Sequence, residues 1–198
     1  MMTDKKFDPR KLQKLNDPQR LIDIPPDYVW EKLNLDRPEV MVEIGAGTGF
    51  FSIAFLQKSK SSTIYACDLS DIMTDWVKEN VSPQYPHIIP LKAGEHSLPL
   101  DGGFADLVFM INVHHELENP LLTLEEAYRI LKPDGRIFIV DWKKKDMPEG
   151  PPTGIRCSPE QVKEQLMAAG FKHIDIHNEL QKHFLVVGKR SGLTRRIK

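Results

Sequence analysis

The run Val40-Met41-Val42-Glu43-Ile44-Gly45-Ala46-Gly47-Thr48-Gly49-Phe50-Phe51 constrains the fold more than any other stretch of this chain. Apolar residues empty into glycines at alternate positions, and apolar residues resume behind them. That order reads as a buried strand, a tight loop and the start of a helix. Gly45, Gly47 and Gly49 let the backbone turn sharply and let a ligand approach without meeting a Cβ atom. The spacing is G-x-G-x-G, not the G-x-G-x-x-G of dinucleotide binders, and an acid, Glu43, precedes the first glycine by two residues. A pyrophosphate wants bare N–H groups and no carboxylate beside them. A ligand of net positive charge tolerates Glu43. The alternative is that Glu43 only braces the loop by accepting backbone hydrogen bonds.

Length and charge narrow the field. At 198 residues the chain fits one domain with a sizeable core. A net charge of -1 gives no global attraction to nucleic acid or to a membrane surface. No apolar stretch approaches the roughly 18 residues of a membrane span, and the opening MMTDKKFDPR lacks the apolar core of a signal peptide. Cys67 and Cys157 form no CxxC pair, which argues against a disulfide framework or a zinc knuckle and for a reducing, cytoplasmic setting. No metal site is expected: His114-His115 lacks the i, i+4 spacing of a helical zinc site.

Residues 1–37 show helical apolar spacing around Asp17-Pro18 and Pro25-Pro26, which predicts two short helices that pack on the domain or lie over the ligand as a lid. From residue 40, strands and helices alternate. Strands are expected at Val40–Ile44, Thr63–Asp68, Ile88–Lys92, Ala105–Ile111, Arg136–Asp141, His173–Asn178 and His183–Lys189. Helices are expected over 49–58, 72–80, 121–131 and 159–169. The last carries its own punctuation, with Ser158 as N-cap, Pro159 as first helical residue, Gln161 as capping-box partner and Gly170 as stop. Alternation with near-continuous apolar strands predicts a parallel sheet covered by helices on both faces. The turn 179–182 is too short for a crossover, so the last two strands should pair antiparallel.

In such a sheet, ligands bind beyond the carboxyl ends of the strands. The second strand ends in Asp68, about 20 residues past the glycine loop, placed to accept both hydroxyls of a ribose or to cap the next helix with Ser70. Leu69 and Met73 follow as flanks for a flat base, or as ordinary core. Gly94 and Glu95 follow the third strand and could reach the edge of that base. The fourth strand runs into Asn112-Val113-His114-His115-Glu116, and the fifth ends in Asp141-Trp142.

The order of VEIGAGTGFFS, IYACDLS, LPLDGGFADLVFMINVHHE and LKPDGRIFIVDWK resembles the class I S-adenosylmethionine-dependent methyltransferases. Within them it is most similar to the type 11 branch that includes the ubiquinone/menaquinone C-methyltransferases. The match covers roughly residues 40–188. It implies a Rossmann-like α/β fold of seven strands in the order 3-2-1-4-5-7-6, mostly parallel with one antiparallel strand. It divides the chain into a helical cap or lid (1–37), a methyltransferase domain (38–190) and a basic tail (191–198). It implies S-adenosylmethionine as cofactor, with Glu43, Gly45, Ala46, Gly47 and Gly49 around the methionine part and Asp68 on the ribose. Leu69 and Met73 would flank adenine, Gly94 and Glu95 would meet its amino edge, and Asn112 would lie beneath the sulfonium. Many members carry Asp where this chain has Gly94, so Glu95 or a main-chain group takes that contact.

Methyl transfer from a sulfonium needs alignment and exclusion of water, and a base only where the acceptor must lose a proton. His115 and then His114 are the candidates for that base, set against capping or packing roles. Asp141 and Trp142 are candidates for the wall of the acceptor pocket, and the Pro- and Gly-rich segment 143–156 for a lid or a plain linker. The expected partner is a small-molecule acceptor, and the chain is expected to act as a monomer or homodimer. Competing readings are a nicotinamide oxidoreductase, which the loop spacing and Glu43 oppose, and a nucleic-acid or protein methyltransferase. Nucleic-acid enzymes often close the fourth strand with an N-P-P-Y-like motif, absent here. A cofactor-binding protein without catalysis is a further alternative, and arsenite methylation lacks the cysteines it needs.

Overall fold

The computed structural model describes residues 12–192. Residues 1–11 of the expected cap and 193–198 of the expected basic tail lie outside them. Among the described residues, three short helices come first: α1 (Leu12–Leu15), α2 (Gln19–Asp23) and α3 (Pro26–Leu33). The expectation of two helices is thereby corrected. Pro18 and Pro25 each cut the amphipathic run, because a proline ring displaces the residue before it from helical geometry.

The sheet and its helices follow as β1 (Val40–Ile44), α4 (Phe50–Leu56), β2 (Thr63–Asp68), α5 (Asp71–Trp76), β3 (Ile88–Lys92), β4 (Ala105–Ile111), α6 (Pro120–Ile130), β5 (Leu131–Trp142), α7 (Pro159–Ala168), β6 (Lys172–His177) and β7 (His183–Lys189). Strand order is β3-β2-β1-β4-β5-β7-β6, and only β7 runs against its neighbours. Most boundaries fall within one or two residues of expectation, β6 for example starting and ending one residue early, and two depart further. α5 passes into a π-helical turn over Val77–Val81. β5 begins early, because Leu131 already pairs with Ala105 before the Pro133–Gly135 excursion, where Asp134 adopts a φ of 67°; the ladder resumes at Leu107 and Arg136. α7 carries the predicted capping box between Ser158 and Gln161, and Gly170 follows it with a φ of 100°.

Period-two alternation sends successive strand residues to opposite faces. Met41, Phe109 and Phe138 meet α3 and α4 on one face, while Val42, Val108 and Ile139 meet α6 and α7 on the other. Phe109 and Phe138 are register partners, and their rings stack at 5.0 Å with planes 11° apart. Phe55 of α4 closes on both at 5.1 and 5.2 Å. All three rings are fully buried, each stabilising the fold by roughly 2–3 kcal/mol. This core fixes the carboxyl ends of β1, β2, β4 and β5 side by side. Because β7 is antiparallel, its first residue, His183, sits level with Trp142 at the end of β5.

Candidate active site

A cleft of about 1400 Å³ opens at those strand ends. The glycine loop forms one wall. Gly45 and Ala46 donate their N–H groups to the carbonyl of Cys67 at 2.8 and 3.0 Å, which pins the loop to β2. Gly45 has a φ of 73°, and a Cβ there would come within 2.5 Å of Val113, so only glycine fits. Asp68 ties the loop to the next turn, its carboxylate accepting from Gly47 N–H and Ser70 N–H, both at 2.8 Å.

Glu43, Gly45, Ala46, Gly47 and Asp68 all line the cleft, as do Leu69, Met73, Gly94, Glu95 and Asn112. Gly49 does not. It stands behind the loop as N-cap of α4 with a φ of 74°, facing Val77 and Val81. Glu43 is buried and accepts from the Ser52 hydroxyl. Burial pushes its carboxyl up to about 8, with the Ser52 bond and the nearby Arg20 charge offsetting part of the rise. Arg20 comes from α2, lies over the rings of Phe50 and Phe51 at 5.5 and 4.8 Å, and donates to the Leu15 carbonyl. Asn112 adopts a left-handed φ of 58°, and its buried Oδ1 has no hydrogen-bond partner among the described residues.

The opposite wall is built from β5, β7 and the turn after β4. His115 lines the cleft, and its Nδ1 is 2.8 Å from Asp141 Oδ1, while its backbone N–H donates to Asp141 Oδ2 at 3.0 Å. A carboxylate only accepts, so Nδ1 carries the proton and Nε2 is left for other partners, 3.6 Å from Glu116. Burial opposes a charged ring at His115, but the Asp141 bond and charge and the Glu116 charge outweigh it and raise its pKa. Asp141, expected in the pocket wall, is placed behind that wall as the support of His115, and it also accepts from Trp142 N–H at 2.7 Å. His114, the second candidate base, does not line the cleft; it is buried in the 3₁₀ turn His114–Glu116 with both ring nitrogens unpartnered among the described residues.

Trp142 lines the cleft, gripped between Gly150, where a Cβ would meet its ring at 2.8 Å, and His183, whose ring centroid is 4.3 Å away. The segment 143–156 that covers this wall is stapled from within. Arg156, 3% exposed, donates to the carbonyls of Pro151 (2.8 Å), Lys143 (3.1 Å), Lys145 (2.8 Å) and Glu149 (3.0 Å). Lys182, just ahead of β7, reaches Asp23 of α2 and Glu149 of this segment, each at 2.9 Å. Arg20, Arg156, Lys182 and His183 escaped the sequence reading. A signal existed for the last two: an antiparallel final strand must begin at the end where the parallel strands finish.

Residues 42–139 match the family model of a methyltransferase domain. A crystal structure described as a SAM-dependent methyltransferase from Aquifex aeolicus superposes with a TM-score of 0.86 at 32% identity, over 93% of this chain and 99% of that one. The uncharacterized methyltransferase YdaC of Bacillus subtilis is 25% identical over 73% of this chain and 78% of its own. A demethylmenaquinone methyltransferase of Chlamydia muridarum is 30% identical over 54% of this chain, which spans 46% of that enzyme. The chain belongs to the class I S-adenosylmethionine-dependent methyltransferases, in the type 11 branch. It is thus an enzyme of methyl transfer with S-adenosylmethionine as cofactor. Among the described residues, no helix is long and apolar enough to cross a membrane.

Proposed function

We propose that the acceptor is a small molecule and that His115, oriented by Asp141, takes its proton as the methyl group is transferred. The observation that carries this reading is the 2.8 Å contact between His115 Nδ1 and Asp141 Oδ1 in the wall of the cleft. S-adenosylmethionine, when bound, supplies a methyl carbon on a sulfonium, open to in-line displacement.

The residues present fit that cofactor. Gly45 leaves a path no side chain could share, and Asn112 Oδ1 is a buried acceptor without a partner. Glu43 and Asp68 add carboxyls to the same wall. A wall rich in acceptors suits a ligand bearing a sulfonium, an ammonium and ribose hydroxyls. In this reading Asp68 holds the ribose, Leu69 and Met73 flank adenine, and Gly94 and Glu95 meet its edge. Glu43, Gly45, Ala46 and Gly47 surround the methionine part, with Gly49 shaping the turn behind them. The N-terminal helices, beside the glycine loop, and the segment 143–156, on the opposite wall, cover the cleft and exclude water, while Trp142 shapes the acceptor space. One relative is named for demethylmenaquinone, so a ring-bearing acceptor is the class to try first.

The test pairs methyl-labelled cofactor with a metabolite extract and follows label into product. His115→Ala should keep S-adenosylhomocysteine affinity within about twofold and lower the transfer rate by roughly 10²–10⁴. Because the His115 pKa lies above the ordinary 6.5, the neutral base fills as pH rises through that higher value, and kcat should climb across it. Asp141→Asn should move that climb to lower pH. A full rate in His115→Ala sinks the base; binding of NADH in place of S-adenosylhomocysteine sinks the donor.

A further inference from the structure

Of the two cleft histidines that the reaction above leaves unused, His96 is only half-buried with Thr123 Oγ1 at 3.4 Å, whereas His183 is fully buried. Its side chain is 1% exposed, it lines the cleft, and neither ring nitrogen has a hydrogen-bond partner among the described residues. Burying an imidazole unpaired costs about 1–3 kcal/mol, so a fold keeps such a group where something else completes it.

The surroundings of His183 say what completes it. One ring face is taken by Trp142, whose indole is itself held by Gly150, so the histidine cannot swing away without unpacking the wall. The charges facing it are Asp141, Asp23, Lys182 and Arg20, of which the middle pair satisfy one another. Burial drives its pKa down to about 4, so the ring is neutral at physiological pH and offers one donor and one acceptor. The two cations nearby are already engaged, Lys182 by Asp23 and Glu149 and Arg20 by the Leu15 carbonyl and the rings of Phe50 and Phe51, so neither is set aside for a carboxylate or phosphate acceptor. A hydroxyl or carbonyl oxygen fits a neutral imidazole.

We propose that His183 is a specificity residue that hydrogen-bonds a neutral oxygen, hydroxyl or carbonyl, on a flat acceptor lying in the cleft beside Trp142. The inference rests on the reading of a small-molecule acceptor and names its polar group. His115 and His183 then divide the work from two elements, one taking a proton and the other holding an oxygen.

The test uses full-length protein saturated with S-adenosylhomocysteine and labelled with ¹⁵N-histidine. Phenol, benzoate and phenyl phosphate are titrated in turn, and the His183 ring nitrogens are followed by NMR. Phenol should shift those resonances and bind at least tenfold more tightly than either anion. His183→Phe should weaken phenol at least tenfold while S-adenosylhomocysteine affinity stays within twofold. His183→Gln should recover part of the loss, and His114→Phe should change neither ligand. Phenol that leaves His183 unmoved, anions that bind as well as phenol, or equal phenol affinity in His183→Phe each overturn the proposal. Failure of S-adenosylhomocysteine to bind would instead remove the donor reading beneath it.

Discussion

Asp68 has two carboxylate oxygens and more partners than a helix cap requires. Gly47 and Ser70 each take one oxygen, and the remaining lone pairs face a cleft. Ribose binding and loop bracing are therefore two uses of one side chain. Asp68→Ala should weaken S-adenosylhomocysteine binding more than tenfold by calorimetry, and unchanged affinity would reduce the residue to a brace. Glu43 supports a prediction in pH. Its carboxyl is pushed up to about 8 in the folded chain against an ordinary 4.5, so between those values the folded state holds a proton that the unfolded state has released. Stability of the ligand-free protein should then fall as pH rises from about 5 towards 8 and level off above. Glu43→Gln, which keeps the bond to Ser52, should flatten that slope in urea titrations across the same range. Both acids were legible in the sequence because their positions follow from strand ends. Their hydrogen-bond partners were not, since Gly47 N–H and Ser52 Oγ come together only through the turn.

Among the elements, the segment between β5 and α7 carries an internal order that its reading as a lid or a plain linker did not specify. Prolines and glycines at 148–154 suggest a loose cover, yet Arg156 gathers four carbonyls inside it. A guanidinium in a fixed fork replaces the ladder that such a loop lacks. Arg156→Leu should leave those carbonyls unpaired, cost about 3 kcal/mol and raise amide hydrogen exchange over 143–156, with the β1–β4 ladder unaffected. Exchange confined to its wild-type level there would refute the staple. The capping box of α7 could be read directly, because Ser158, Pro159 and Gln161 act within one turn of chain. Arg156 could not, because its partners are backbone carbonyls, which carry no side-chain signature. The early start of β5 and the three-way split of the N-terminal helices belong to the same class, set by pairing and proline geometry that a periodicity averages over.

On the scale of the whole molecule, apolar strands at regular spacing and one short terminal turn were enough for the sheet and its antiparallel last pair, while the strand order followed from the resemblance to the methyltransferases. The same reversal carries His183 and Lys182 to the functional end, a consequence of topology that a scan of isolated histidines overlooks. Lys182 joins two covers of the cleft, α2 through Asp23 and the Arg156 segment through Glu149. Glu149 is half exposed, so its bond to Lys182 is worth about 1 kcal/mol or less and is open to screening by salt, whereas the Asp23 bond is more sheltered. Turnover should therefore respond to ionic strength: between roughly 0.05 and 0.5 M salt, product should leave faster in stopped-flow traces of Trp142 fluorescence, and Lys182→Met should be fast at both. A lysine that looks like surface decoration would then make the enzyme's dwell time on its product a function of the electrolyte around it.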